Sequence, residues 1–271
     1  MCGARRWHSL YLKMSEPSKS RNRIEFVSEP ASVNMADDWF EIATLDHFWI
    51  RRRFNVARKI LGSCDLSQSQ VAEVGCGHGL VQRQFEQGFG VAVDGFELNL
   101  GSLEQNISTR GRLIHYNVFE KRAEFGGRYD LLVLFDVLEH IELQERFLDA
   151  VMFLVKRKGQ ILINVPALQN LYSEYDKCAG HLRRYSLAEL SSLVTKQGLQ
   201  VRGSTYWGLP LLPSLWLRKG HLQFVRSEAV IRRGFDPGSK LVNQAMYLLS
   251  CLEPIPQRLF GTSVMLLVDR P

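Results

Sequence analysis

A chain of 271 residues, 45% hydrophobic and 23% charged, has enough apolar side chains to bury one α/β core with additions or at most two small domains, and its composition is not that of a disordered or fibrous protein. The formal net charge of +6 permits an anionic partner without demanding one. The five cysteines are scattered and form no C-x-x-C pair, which speaks against a disulfide framework or a zinc site, and no stretch approaches the roughly 18 apolar residues of a membrane span.

In chain order, residues 1–34 read as a disordered tail. Arg5, Arg6, Lys13, Lys19, Arg21 and Arg23 face few acids there, with Ser and Pro interspersed. A frayed start, with Met14 or Met35 as the first residue, is the reading taken ahead of a transit peptide. The domain proper is expected over 35–271. Residues 36–62 carry apolar side chains spaced at threes and fours, a helix pattern that Gly62 would stop. Strands are expected at 70–74, 91–96, 112–118, 130–135 and 160–165, with helices at about 80–89, 98–108 and 143–155 between them. Lys156, Arg157 and Lys158 suit the last helix's C-terminal dipole, and Gly159 its cap. Ser186-Leu187-Ala188-Glu189 is a capping box opening a helix that stops near Gly198. Two more strands, 199–205 and 263–269, flank a largely helical insert at 206–260. Strand–helix alternation at this spacing implies parallel βαβ units: an α/β, doubly wound, Rossmann-like sheet of seven strands with helices on both faces, a helical cap before it and the insert before its last strand. Ligands of such sheets sit outside the C-terminal strand ends.

The first strand runs directly into Gly75-Cys76-Gly77-His78-Gly79. No lysine follows, so this is not a phosphate-cradling P-loop, and Leu80 stands where a dinucleotide fingerprint needs its third glycine. Gly-x-Gly-x-Gly, with Glu73 two residues before it, resembles motif I of the class I S-adenosylmethionine (SAM)-dependent methyltransferases. Gly95-Phe96-Glu97-Leu98-Asn99 follows at the distance where such folds place a ribose-binding acid, and Asp94 is the neighbouring competitor. The third strand ends at Tyr116-Asn117-Val118. The family usually has Asp at the position of Asn117; an amide oxygen still accepts from adenine but lacks the charge. The block Tyr129 to His140, with Phe135, Asp136, Leu138, Glu139 and His140, resembles the family's fourth-strand segment, which lines the methionine part of SAM. Asp46-His47-Phe48-Trp49-Ile50-Arg51-Arg52-Arg53 resembles the family's N-terminal segment that folds over the cofactor. There Arg53, with Arg51 next, would fork the SAM carboxylate.

On the acceptor side, Val165-Pro166-Ala167-Leu168, then Tyr172-Ser173-Glu174-Tyr175-Asp176 and Gly180-His181-Leu182-Arg183-Arg184-Tyr185, resemble a subset of the same family. Together these resemblances cover about residues 38–206. They imply SAM as cofactor and methyl transfer to an acceptor, expected to be a hydroxyl of a small molecule, a saccharide or a lipid-linked intermediate. N-methylation and a catalytically silent SAM-binding protein are the alternatives; a dinucleotide-binding oxidoreductase is disfavoured by Leu80. His140, slightly ahead of His181, is the candidate base. Tyr175 and Tyr185 would shape the acceptor pocket. Arg183 and Arg184 would either bind an acidic acceptor or form structural ion pairs. No metal site is expected. Residues 207–233 are apolar and Trp-rich, then basic, a pattern that suits either a lid over the acceptor pocket or a membrane-surface element. No RNA-binding module accompanies the basic residues, so nucleic acid is not expected as a partner. The expected localisation is cytoplasmic, with membrane association through 207–233 as the second reading.

Overall fold

The computed structural model describes residues 23–29 and 42–271. One eight-stranded sheet organises them, in the order β1-β4-β3-β2-β5-β6-β8-β7. The strands are β1 (Ile24–Phe26), β2 (Val71–Val74), β3 (Val93–Glu97), β4 (Leu113–His115), β5 (Tyr129–Phe135), β6 (Val155–Pro166), β7 (Gln200–Trp207) and β8 (Ser263–Asp269). Strands β1 to β6 run parallel, while β8 lies antiparallel between β6 and β7. The chain winds outward from β2 through β3 and β4, then returns to lay β5 against the other side of β2. That reversal leaves a crevice beyond the C-terminal ends of β2 and β5.

The central strands show why the sheet is covered on both faces. Alternate residues of a strand point to opposite sides. In β5, Leu132 and Leu134 join a core with Ala72, Val74, Phe147 and Val151, while Leu131, Val133 and Phe135 join another with Val56, Phe85 and Trp207. All of these are buried, so β5 reads as an apolar run with no polar face.

Helix α1 (Phe48–Leu61) packs behind the second core. His47 caps its start, its side chain accepting from the Trp49 N–H, and Gly62 ends it at φ 65°. Among the described residues the helix pattern of 36–62 is interrupted: Ile42 is helical, Leu45 and Asp46 form a turn, and helix resumes at Phe48; 36–41 lie outside the described residues. Helices α2 (Leu80–Gly88), α3 (Leu100–Glu104), α4 (Gln144–Leu154), α5 (Glu174–Cys178) and α6 (Leu187–Lys196) follow. The expected capping box at Ser186 and Glu189 has both of its reciprocal bonds.

Three expectations need correction. The segment 1–34 is not wholly a tail: Ile24–Phe26 pairs parallel to β4, so the sheet has eight strands rather than seven. The helix expected over 98–108 closes after Glu104. Lys156 to Gly159 do not end α4 but enter β6. The last carbonyls of α4 are taken instead by the N–H groups of Gly127 and Arg128 and by the Arg270 guanidinium, while Lys156 pairs with Asp130 at 2.8 Å.

The insert between β7 and β8 holds α7 (Leu212–Leu222), α8 (Ser227–Phe235) and α9 (Lys240–Ser250). It is fastened to α1 by a buried ion pair, Arg52 to Glu253 at 3.1 Å, whose carboxylate also accepts from the N–H groups of Gly208 and Leu209. Among the described residues no helix is long and apolar enough to cross a membrane.

Candidate active site

The glycine turn after β2 is dictated by its neighbours as much as by any ligand. Gly75 has φ 76°, and a Cβ there would stand 2.4 Å from Val137 Cγ2. Gly79, also at φ 76°, would place a Cβ 2.3 Å from Asn106 Oδ1. Both positions combine a left-handed backbone with a crowded approach, which only glycine meets. Cys76 between them is buried. Glu97 ends β3 beside this turn. One of its oxygens accepts from the Gly77 N–H at 2.9 Å, the other from the Leu98 and Asn99 N–H groups at 2.7 and 2.8 Å. Its competitor Asp94 is drawn elsewhere, to the Tyr129 hydroxyl and the Arg112 backbone. Asn117 and Val118 lie just beyond the end of β4, where Asn117 caps a short 3-10 turn; its amide oxygen accepts from the Phe119 N–H, and its own N–H donates to Ser28 of the N-terminal strand segment.

At the end of β5, Asp136 adopts φ 55°, an uncommon conformation that Asp tolerates. Arg53 from α1 donates to one carboxylate oxygen, and Asn164 of β6 to the other at 2.8 Å; Asn164 in turn accepts from the Trp207 indole at 2.8 Å. Burial raises the pKa of Asp136, and Arg53 opposes the rise. The Arg53 guanidinium lies over the rings of Trp49 and Phe135, and its Nε has no partner. Below it, Glu73 is buried in β2 with one oxygen unpartnered, and burial lifts its pKa well above the carboxylate range. Arg51, the alternative to Arg53, points away: it bonds Gln244 and stacks on Tyr247 of α9.

The acceptor side is organised by Asp176. Ser173 caps α5 in a reciprocal box with it. The same carboxylate accepts from His181 Nδ1 at 3.0 Å and from Arg184 Nε and Nη2 at 2.8 and 3.1 Å. Burial alone would raise its pKa; the bonds from His181 and Arg184 prevail and hold it well below the usual range. His140 lies edge-on to His181, ring centroids 4.9 Å apart, with Nδ1 on the Gly180 carbonyl. Burial and the neighbouring His181 push its pKa down to about 4. Glu139 is fully buried beside them, 4.0 Å from His181 Nε2, with both oxygens unpartnered and a pKa lifted well above its usual value by burial.

These groups meet in one cavity of about 370 Å³, within the range of small-molecule sites. It touches Arg53, Glu73, Gly75, Cys76, Gly77, Phe135, Asp136, Glu139, His140, Tyr175, His181 and Arg184 from the expected set. Gly79, Glu97, Leu98, Asn117 and Val118 are not on its wall. Two acceptor-side expectations change. Arg184 is buried and committed to Asp176 and the Ala167 carbonyl, which is the ion-pair reading. Tyr185 is also buried outside the cavity, its hydroxyl donating to the Leu138 carbonyl and accepting from Gln144. Arg183 does not reach the cavity wall either. From the segment 207–233, Leu211, Leu215 and Arg218 stand on the cavity wall, while Trp216, Leu217 and Phe224 are exposed. Glu139, His140 and His181 also bring three ligand-type atoms within 4.8 Å of one another, a clustering not foreseen where no metal site was expected.

Sequence reasoning assigned no role to Asp176, Asn164 or Arg218. A signal existed for the first: Ser173-x-x-Asp176 is a capping-box spacing, with His181 five residues on. Asn164 inside an apolar strand was a second, since a buried amide needs partners.

The carboxylate ending β3, the glycine turn and the unpartnered Arg53 and Glu73 atoms suit a ligand with hydroxyls at one end and both charge signs at the other. The comparisons agree. Residues 39–203 match the family model described as methyltransferase domain. A search by sequence against curated proteins gives no match. Among solved structures, a SAM-dependent methyltransferase from Thermotoga maritima superposes with a TM-score of 0.55 at 16% identity, covering 87% of this chain and 94% of that one. Phosphoethanolamine N-methyltransferase 2 from Haemonchus contortus, in complex with SAM, gives 0.53 at 16% identity over 83% of this chain and 56% of that one. Geranyl diphosphate C-methyltransferase from Streptomyces coelicolor gives 0.53 at 13% identity over 82% and 76%. At these identities the structural likeness is one of fold. The family match, which spans more than half of the sequence, goes further: the chain belongs to the methyltransferase-domain family and is a class I SAM-dependent methyltransferase.

Proposed function

We propose that the protein methylates a hydroxyl of a small molecule, a saccharide or a lipid-linked intermediate, with His181 as the base. The observation that carries this is the His181–Asp176 pair. Asp176 is buried and accepts from Nδ1 at 3.0 Å, which leaves Nε2, 4.0 Å from Glu139, with the free lone pair of a ring on the cavity wall. A carboxylate behind an imidazole orients the ring, sets its tautomer and stabilises its protonated form. The structure thus favours His181 over His140, which has only a carbonyl behind it and a pKa pushed down to about 4.

In this reading Glu97 holds the ribose of SAM, Asn117 and Val118 flank adenine, and Gly75, Cys76, Gly77, Gly79 and Leu98 form the floor. Arg53, with Glu73, Phe135 and Asp136, holds the amino-acid end. SAM supplies a methyl group on a sulfonium, a leaving group already activated. What the protein adds is position and a proton acceptor. The acceptor hydroxyl gives its proton to His181 Nε2, Asp176 stabilises the imidazolium, and the lid limits water. Peripheral contact of 207–233 with a membrane belongs to this reading for lipid-linked acceptors, supported by the outward Trp216, Leu217 and Phe224 near Lys219 and Arg226.

The experiment is incubation with SAM and fractionated extracts (polar metabolites, saccharides, lipids), followed by mass spectrometry for a one-methyl gain. Once an acceptor is found, His181→Gln should keep SAM affinity, lose most turnover and lose the acidic limb of the pH–rate profile. Full rate with an unchanged profile would remove His181 as base. SAM binding with no methylated product in any fraction would instead favour the silent binding protein.

A further inference from the structure

Four arginines with sheltered guanidinium groups lie on or near the cavity, and three of them have a carboxylate. Arg52 faces Glu253, Arg53 faces Asp136 and Arg184 faces Asp176. Arg218, on α7, differs. Its Nη1 donates to the Gly234 carbonyl at 2.8 Å, and its guanidinium lies 4.4 Å from the centre of the Tyr175 ring. Its Nε is enclosed without any hydrogen-bond partner, and among the described residues no acid pairs with it. The nearest acid by field, Asp176, is already bound to His181 and Arg184. Burial pushes the Arg218 pKa down to about 10, so it remains a cation at neutral pH.

A half-buried guanidinium without a counter-charge is costly, and the enclosed, orphaned N–H of its Nε adds to the cost. Such a group is accounted for when the missing anion arrives with a ligand. Arg218 faces the same cavity as the histidines, and a ladder of rings connects them. Tyr175, under Arg218, has its centroid 6.4 Å from that of His181, which is 4.9 Å from that of His140. Arg233, from α8, adds a second cation to the rim on the same side; the rim also carries Asp236, which works against a purely non-specific anion trap.

We propose that Arg218 anchors an anionic group of the methyl acceptor, a carboxylate or a phosphate, so that the acceptor spans from Arg218 across Tyr175 to His181. The inference rests on the methyltransferase reading above and narrows its acceptor to an acid. It also places on α7 the anion-binding role that was one of two readings of Arg183 and Arg184. A planar fork suits either oxyanion, since both accept two parallel N–H bonds.

The test is calorimetric titration of the S-adenosylhomocysteine-loaded protein with three probes: benzoate, phenyl phosphate and benzyl alcohol. Wild type should bind at least one anion ten-fold or more tightly than the alcohol, and the tighter anion identifies the source. Arg218→Met should abolish that preference, and Arg218→Lys should restore part of it. SAM affinity and thermal midpoint, measured on the same samples, report whether each variant is folded. Two results overturn the proposal: equal or absent binding of the anions by loaded wild type, and an undiminished preference in folded Arg218→Met. Failure of wild type to bind SAM would bring down the methyltransferase reading itself. Retained SAM binding without an anion preference brings down only the role of Arg218.

Discussion

The two walls of the cavity are finished to different degrees. On the cofactor wall, the acids at the strand ends are paired within the protein, and the orphaned atoms are Arg53 Nε and one oxygen of buried Glu73. Glu97 accepts three backbone N–H groups, and Asp136 is held between Arg53 and Asn164. On the acceptor wall, both Glu139 oxygens and Arg218 Nε have no partner. Paired groups make a surface that is rigid before the ligand arrives. Orphaned groups cost stability and persist where a ligand supplies the missing contacts. A common cofactor needs the first kind of wall, and a particular acceptor shapes the second.

The comparison breaks most sharply at the glycine turn. Gly75→Val would force a β-branched residue to φ 76° with its Cβ 2.4 Å from Val137. Strain and overpacking together should cost about 3 kcal/mol or more. Loss of SAM binding with a large drop in thermal midpoint is expected; a variant that binds SAM normally would mean the turn adapts and the cofactor wall is not rigid. Asp176→Asn comes next, because it strips the counter-charge from buried Arg184 while leaving the shape. Breaking a buried pair of this kind costs about 3–5 kcal/mol when no relief is available, and some relief is expected here because the amide still accepts from Arg184. Turnover should fall further than SAM affinity, since the amide no longer selects the His181 tautomer. Equal losses of both would reduce Asp176 to scaffolding.

Glu97→Gln should be milder, about 1.5–3 kcal/mol from the hydrogen bonds of a charged acceptor. Part of the loss should appear as stability and part as SAM affinity, because the carboxylate both ties the turn to β3 and faces the ribose in the proposed pose. Calorimetry with unchanged SAM affinity, beside a lowered midpoint, would confine Glu97 to the turn.

The same contrast explains what could be read from the sequence. The cofactor wall consists of short contiguous segments, a strand with its turn, so Gly75 to Gly79, Glu97 and the Tyr129–His140 block were legible by spacing. The strand at Ser263–Asp269 was legible because seven residues of apolar pattern suffice. The acceptor wall acquires its meaning from which side chains fold back onto which, something spacing alone does not show. Asp176 matters because Arg184 and His181 fold back onto it, and Arg218 because no acid does. The β1 strand escaped notice for a related reason: three residues show no period, and their partners Leu113 to His115 lie far along the chain. The Lys156–Gly159 segment looked like a helix end because nothing local reveals that Arg270 covers the carbonyls of α4.

The smallest effect expected here probes the support behind the turn. Glu86, near the end of α2, accepts from the Ser108 hydroxyl at 2.6 Å, from the N–H groups of Thr109 and Arg110, and from Arg83 at 3.1 Å. This clasp holds the segment that carries Asn106 against Gly79. Burial opposes ionisation of Glu86, but the Ser108 hydroxyl, the two N–H groups and Arg83 prevail and lower its pKa from 4.5 to about 2. A carboxylate depressed on folding adds stability that is fully present above its unfolded pKa and is lost as pH falls through its folded one. Its contribution should therefore be constant near neutral pH, shrink below about 4.5 and vanish near 2. Glu86→Gln should cost about 1–2 kcal/mol at pH 7, since the amide keeps an oxygen for some of these donors. Urea titrations of wild type and variant at pH 7, 5 and 3.5 should give a stability gap that narrows at the lowest pH. A gap that stays constant would mean the loss comes from packing rather than charge, and the support behind the cofactor wall would be steric.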